Sequence, residues 1–270
     1  MLGKLLKYDL KYIYRYWWIG ALTTIALSFV GGFCIKIGTV EEEPAFPVVM
    51  MFFLMMFLII FAISSFALLT SIIIFVRFYK NFFSDEGYLT FTLPIKKGTL
   101  LNSKLIAGTL AQLSSTAVII TNIFIMLAIG IGADFWSGAS KGIAELWNSL
   151  GVYLLIYLAE IIAGVVLAYV FSTLFTYVCI TIASIITKKA RVITAIGIYY
   201  GTNTVLSYVL QIFYFFGISS FMSWSFSLSA NALKPFLVLC GLALILFIAV
   251  FCGVLYVIQY RMLDRKLNLA

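Results

Sequence analysis

The chain has 270 residues, of which 64% are hydrophobic and only 10% are charged, so its composition lies far outside the range of soluble globular proteins and predicts a polytopic membrane protein. Its 18 Lys and Arg exceed its 10 Asp and Glu, but in a membrane chain a basic excess belongs to cytoplasmic loops, so we expect no nucleic-acid partner. The chain has no histidine, and its four cysteines lie in apolar runs without C-x-x-C spacing, which disfavours zinc enzymes and His-dependent triads.

Residues 1–16, MLGKLLKYDLKYIYRY, have the periodicity of an amphipathic helix. At about 100° per residue the cations fall on one stripe and the apolar residues on another. The cations are Lys4, Lys7, Lys11 and Arg15, and the apolar residues are Leu2, Leu6, Leu10, Ile13 and Trp17. The pattern predicts an interfacial helix that lies along the inner membrane surface before the chain turns into the membrane. A simple basic leader that sets topology is the alternative.

Six apolar runs follow, each long enough to cross a bilayer core of about 30 Å as a helix. They lie at about 17–34, 48–76, 105–132, 150–187, 192–216 and 235–259. The fourth run would form a helix of about 57 Å, so we expect it to kink or to project past the membrane. The sequence thus predicts an all-α protein with one transmembrane domain over residues 1–270.

The charges predict the orientation of these spans. With the amino terminus inside, only Lys36, Lys141 and Lys234 of the 18 Lys and Arg fall outside. The outer connections also carry half of the ten acidic residues, namely Glu41, Glu42, Glu43, Asp134 and Glu145, as the positive-inside bias predicts. We therefore expect a multi-pass protein with both termini in the cytoplasm.

The outer connections are short, so we expect any substrate to be met within the membrane or from the cytosol. The second of them, ADFWSGASKGIAELWNSL, carries Trp136 and Trp147 at positions typical of interfacial anchors. The third, residues 217–234, is serine-rich and aromatic. It is either a re-entrant element between the fifth and sixth spans or an ordinary surface loop.

Residues 77–104 form the one substantial cytoplasmic connection, between the second and third spans. Ser84 followed by Asp85 and Glu86 predicts a helix start, in which the hydroxyl caps free amides and the carboxylates lie at the positive end of the helix dipole. We expect a short helix through about Phe91, ended by Pro94. Such a helix is marginal alone in water, so it should pack on a protein surface or fold back against the inner membrane face.

The stretch SDEGYLTFTLPIKKGTLLNSKLIAG resembles the coupling segment of type II ABC exporter permeases, the ABC-2 family. The matching positions are Glu86, Gly87, Tyr88, Ser103 and Lys104. The predicted layout is also similar: an amphipathic amino-terminal helix, six spans, a cytoplasmic coupling helix and an outer re-entrant element. The resemblance implies that this loop docks on a separate ATP-binding subunit, through Ser84, Asp85, Glu86, Gly87, Tyr88, Leu89 and Phe91.

ATP hydrolysis must then belong to another polypeptide, because the chain contains no G-x-x-x-x-G-K-[ST] phosphate-binding loop. By itself the chain is not expected to be an enzyme or to bind a cofactor, and ATP and Mg would sit on the partner subunit. The resemblance also implies two copies of that subunit and a second permease, either an identical chain or a related paralogue. It places the complex in a bacterial plasma membrane.

Polar residues within the spans are costly in lipid and normally face a pathway or another helix. In the fifth span Asn203, Ser207 and Gln211 lie at i, i+4 and i+8 on one face. They line either a translocation path or an interface where they form hydrogen bonds between helices. Gly197 and Gly201 form a G-x-x-x-G pattern that is a candidate for dimer packing.

Glu160 is the sole carboxylate deep within a predicted span. It binds a cationic part of the substrate, responds to protonation, or hydrogen-bonds to a neighbouring tyrosine or serine. No residue spacing in the sequence identifies the transported substrate. The resemblance to small permeases of Gram-positive bacteria implies export of a hydrophobic or amphipathic peptide, such as a cytolytic or antimicrobial peptide. Lipid, glycan or drug export and an ATP-independent secondary transporter are the alternatives.

Overall fold

The computed structural model describes residues 2–40, 46–84, 87, 96–187, 191–225 and 230–265, and these contain helices and no strand. The predicted all-α class is therefore confirmed for this part of the chain. The helices are α1 (Leu2–Val40), α2 (Phe46–Phe83), α3 (Lys97–Ile131), α4 (Ala133–Leu150), α5 (Val152–Ile186), α6 (Arg191–Ser225) and α7 (Ala230–Arg265).

Five helices are long and apolar enough to cross a membrane, which indicates a multi-pass membrane protein. Their candidate spans are Leu2–Ile37, Val49–Phe83, Lys97–Ile131, Val152–Ile186 and Ala232–Asp264. Large apolar side chains are exposed along them, for example Phe53 and Phe57 on α2, as expected of surfaces that face lipid. Helix α6 contains the predicted fifth span, 192–216, but is not one of the five, so six spans remain a prediction.

The predicted break between an interfacial helix at 1–16 and the first span is wrong, since α1 is one continuous helix of 39 residues. The predicted polar stripe is nevertheless exposed, at Lys4, Lys7, Lys11 and Arg15. The opposite face carries Asp9, Ile13 and Trp17, all buried against protein. Because this face is covered by protein on both sides of residue 16, the helix has no reason to turn there.

The predicted second outer connection, to which the sequence assigned two interfacial tryptophans but no secondary structure, is a helix, α4. It is separated from its neighbours by Gly132 and Gly151, whose φ angles of 70° and 56° lie in the left-handed region that favours glycine. The break at Gly151 also changes the fourth span. Helix α5 begins at Val152 and runs without interruption for 35 residues, about 52 Å, so it extends beyond the bilayer core instead of kinking.

Helix also occupies most of the third outer connection, 217–234. Helix α6 continues to Ser225, and α7 begins at Ala230. Residues 226–229 lie outside the described part, so the re-entrant element stays a prediction.

The chain forms two compact units, and the first comprises Met1–Phe78 and Asn102–Ser149. Its core includes Trp17, Ala21 and Phe66. Helices α1 and α3 approach closely through glycines, because a Cβ added at Gly32 would lie 2.7 Å from Cβ of Ile129. In lipid, where apolar burial between helices gains little, such close contact is a main source of helix association.

The second unit comprises Tyr79–Leu101 and Leu150–Ala270, and in it α5 packs against both α6 and α7. The ring centroids of Phe175 on α5 and Tyr199 on α6 lie 5.8 Å apart. On the other side, Gln259 of α7 donates a hydrogen bond from Nε2 to Thr181 Oγ1 of α5 at 2.8 Å.

Candidate functional site

Four polar side chains from three helices of the first unit meet in what we call the Asp9 cluster: Asp9 on α1, Arg77 on α2, and Ser103 and Lys104 on α3. Arg77 Nε lies 3.0 Å from Asp9 Oδ1, and Ser103 Oγ donates to Asp9 Oδ2 at 3.2 Å. Lys104 Nζ also pairs with Asp9 Oδ1. The side chains of Asp9 and Lys104 are only 2% and 6% exposed, so the cluster holds desolvated charge. Charges of this kind are tolerated in a protein interior only when they are paired and hydrogen-bonded.

The cluster lies close to the ends of the two helices that lead into and out of the predicted coupling loop. Arg77 is six residues before the end of α2, and Lys104 is seven residues after the start of α3. The Arg77 guanidinium also lies over the Tyr12 ring, 4.5 Å from its centroid, which adds a cation–π contact to α1. A displacement of either helix end must therefore move α1 or break charge-assisted bonds.

Asp9 is not among the site residues predicted from the sequence, and Arg77 was predicted only as one of the cytoplasmic cations. Ser103 and Lys104 did match the positions on which the family resemblance rests. A signal for Asp9 was present, because it is the only acidic residue before Glu41 and lies on the helix face opposite the exposed cations. A lone carboxylate on the apolar face of a membrane helix indicates a buried partner.

Of the predicted ATPase contacts, only Ser84 and Gly87 lie within the described residues. Asp85, Glu86, Tyr88, Leu89 and Phe91 lie outside them. The Ser84 hydroxyl donates to the carbonyl of Lys80 at 2.6 Å, a bond back to the end of α2 that the capping prediction did not include.

Gly87 closes a turn directly after α2. Its amide donates to the carbonyl of Ser84 at 2.7 Å. A Cβ added at Gly87 would lie 2.8 Å from the carbonyl oxygen of Phe82, which is backbone and cannot swing away. The close approach of two backbone segments therefore explains why this position of the motif is glycine.

A second polar contact in the first unit links α1, α2 and α3 near their packed faces. Trp17 Nε1 donates to Ser115 Oγ at 2.7 Å, and Ser115 Oγ lies 2.8 Å from Thr70 Oγ1. Ser115 and Thr70 are both buried. Their polar groups hold helices together, as expected for hydroxyls within a helical membrane bundle.

Glu160 lies on α5 and its carboxylate packs directly against Gly241 of α7, within the second unit. Its Oε1 is buried and has no hydrogen-bond partner among the described residues. One turn earlier, Tyr157 donates to the carbonyl of Lys234 at 2.9 Å and so joins the same two helices. Glu160 is therefore positioned by the α5–α7 contact, with Gly241 supplying the space that its side chain needs.

Replacing Gly241 by Ala is expected to destabilise the chain by about 1 kcal/mol or more, because the new methyl group overlaps the Glu160 carboxylate. The loss should shrink in the double variant Gly241→Ala/Glu160→Ala, since the overlap is then absent. Unfolding of the purified chain in mixed detergent micelles measures both effects. Gly253→Ala is the matched control, as an added Cβ there meets nothing within 4 Å. Equal losses at the two glycines would contradict the contact.

The predicted polar stripe of α6 lies on the exposed surface of the helix. Helix α6 contacts α5 through Tyr199 and Thr202. The stripe residues Asn203, Ser207 and Gln211 are exposed, and a Cβ added at Gly197 or Gly201 would meet nothing within 4 Å. At 100° per residue the two glycines, Ser207 and Gln211 lie on the half of α6 opposite Tyr199 and Thr202, whereas Asn203 lies next to Tyr199. Glu160 faces α7, and none of the described contacts joins it to this stripe.

No protein-family model matches the chain, and neither a curated protein nor a solved structure is similar to it. Within the described residues, no group of three or more Cys, Asp or Glu side chains is placed to hold a metal ion. The candidate site is therefore interpreted from its own contacts. What the Asp9 cluster does physically is to tie the ends of two helices to a third.

Proposed function

We propose that the chain is the permease subunit of an ATP-binding-cassette exporter, in which residues 84–93 dock on a separate ATP-binding subunit. The observation that carries the proposal is the Asp9 cluster. It ties α2 and α3, which flank that segment, to α1 by ion pairs and hydrogen bonds. Movement of the segment would then displace three helices together, because breaking a buried charge pair is costly.

The proposed complex contains further subunits besides this chain. Two ATP-binding subunits supply ATP and Mg, and each permease has six spans with both termini in the cytoplasm of a bacterial cell. A second permease packs on the exposed surface of α6, where Gly197 and Gly201 allow close approach and Asn203, Ser207 and Gln211 offer hydrogen bonds to the cargo or the partner. The cargo is a hydrophobic or amphipathic substrate, with a cytolytic or antimicrobial peptide as the first candidate and lipid, glycan or drug as alternatives.

Glu160 favours a second candidate, an ATP-independent secondary transporter. Its Oε1 is buried and has no hydrogen-bond partner among the described residues, and carboxylates in spans often serve proton relays. In that case transport by the isolated chain in proteoliposomes should respond to a proton gradient and vanish in Glu160→Gln. In the exporter, transport requires the ATP-binding subunit.

The deciding experiment is purification of the tagged chain from its native membrane, followed by assay of ATP hydrolysis in the purified complex. Replacing residues 85–93 by a flexible Gly-Ser linker of equal length should remove the ATP-binding subunit and the hydrolysis while leaving the unfolding transition in place. A linker across residues 41–45, a predicted outer loop, is the control and should keep both. ATP hydrolysis that survives the 85–93 replacement, or transport without any ATPase, would overturn the proposal.

A further inference from the structure

Helix α4 is strongly amphipathic. At 100° per residue its large apolar side chains fall within an arc of about 120°. These residues are Phe135, Trp136, Ile143, Leu146, Trp147 and Leu150. The opposite arc carries Asp134, Ser137, Lys141, Glu145, Asn148 and Ser149. We call the first set the apolar arc of α4.

Among the residues that the structure describes, most of this arc is left uncovered. None of the 18 residues of α4 is buried, and Ile143 and Trp136 are 65% and 57% exposed. Contacts within the first unit involve the start of the helix, where the rings of Phe135 and Trp136 lie 5.3 Å and 5.5 Å from that of Phe124 on α3. An apolar face of this length is unfavourable in water and requires another environment.

The position of α4 in the chain indicates which environment that is. It starts one residue after α3 and stops one residue before α5, and both neighbours are long and apolar enough to cross a membrane. The left-handed glycines Gly132 and Gly151 interrupt the helix at each end, so α4 continues neither span. Its two ends are therefore held where spans end, at the boundary between bilayer and water.

We propose that α4 lies in the membrane–water interface, with its apolar arc inserted at the boundary between headgroups and acyl chains. Trp136 and Trp147, near the two ends of this helix of about 27 Å, are residues that prefer that boundary. The polar arc carries Asp134, Glu145 and only one cation, Lys141, so attraction to anionic lipid does not contribute. The occupant is the bilayer, and a second copy of the chain is the competing outcome.

The test uses the full chain with its four cysteines replaced by serine or alanine, reconstituted in phosphatidylcholine bilayers. Spin labels are attached at Ile143→Cys and Leu146→Cys on the apolar arc, and at Lys141→Cys and Asn148→Cys on the polar arc as matched controls. Collision rates with oxygen, which concentrates in lipid, and with a water-soluble nickel chelate report the depth of each label. The apolar-arc labels should favour oxygen and the polar-arc labels nickel, with no change when phosphatidylglycerol is added.

Three results would overturn the proposal. Apolar-arc labels that collide freely with nickel place α4 in water, and labels shielded from both reagents place it against protein, such as a second copy. A label depth that changes when phosphatidylglycerol is added would contradict insertion through apolar contacts alone. The tryptophan fluorescence of the chain with all its cysteines gives an independent measurement. Lipids brominated near the headgroup should quench a larger fraction of this fluorescence than in the double variant Trp136→Phe/Trp147→Phe.

Discussion

Replacing Asp9 by Asn is expected to destabilise the chain by about 3–5 kcal/mol, the range seen when one partner of a buried charge pair is removed. The substitution keeps the shape of the side chain but removes the negative charge from between Arg77 and Lys104. Lys104 is 6% exposed and lies in a helix within the membrane bundle, so water cannot fully compensate. The free energy of unfolding in mixed micelles, obtained from denaturant titration, measures the effect.

Asp264→Asn is the matched control, because Asp264 also pairs with a lysine but at the surface. The Lys97 Nζ to Asp264 Oδ1 distance is 3.0 Å, yet the two side chains are 41% and 51% exposed. Such pairs contribute about 0–1 kcal/mol. Similar losses in the two variants would show that burial of the Asp9 cluster does not matter to stability.

A double variant separates charge from packing. Asp9→Asn leaves the buried positive charge of Lys104 without its carboxylate partner. If this is why the variant loses stability, adding Lys104→Met should recover part of the free energy of unfolding, because the unpaired positive charge of Lys104 is then removed. Lys104→Met alone should destabilise the chain. Additive losses would indicate that the two side chains do not interact.

Replacing Trp17 by Ala is the second change with a large expected effect, about 3 kcal/mol or more. Trp17 is 4% exposed, its ring packs 5.5 Å from that of Phe66, and its Nε1 donates to Ser115. The variant leaves a cavity among three helices and removes a buried hydrogen bond. Lost packing weakens helix association strongly in lipid, because membrane helices associate through van der Waals packing and hydrogen bonds and gain little free energy from burying apolar surface.

Trp18→Ala provides the comparison on the next residue of the same helix. Trp18 is 59% exposed, so the same truncation there creates no cavity. Unfolding in mixed micelles should show a clearly smaller loss than in Trp17→Ala. Trp17→Phe should fall between them, since it keeps most of the ring contact but not the hydrogen bond to Ser115. A larger loss at Trp18 would contradict the placement of α1.

The position of most apolar helices could be predicted from the hydropathy of consecutive residues. The predicted spans 48–76 and 235–259 lie inside α2 and α7, and 105–132 passes the end of α3 by one residue, because the length and hydropathy of a span are properties of consecutive residues. The helix ends were less predictable. Helix α3 starts at Lys97, eight residues before the predicted span begins at residue 105.

Helix α4 was missed although its periodicity was present. Three serines and two glycines between Trp136 and Leu150 resemble a loop when counted by composition, and they hide the regular spacing of Ile143, Leu146 and Trp147. The positive φ angles of Gly132 and Gly151 show where the helix is separated from its neighbours. Nothing in the local sequence distinguishes those two glycines from the glycines inside α4.

The sequence by itself determined the membrane class, the position of most apolar helices and the exposed cation stripe of α1. Only the tertiary structure decided which polar side chains meet. Asp9 bonds to Arg77 and Lys104 across 68 and 95 positions of the chain, and Glu160 lies against Gly241. Periodicity assigns a residue to a helix face, whereas its partner depends on which helices pack together and at what register. In lipid that choice is made by close packing and polar contacts between side chains distant in sequence, which local hydropathy does not encode.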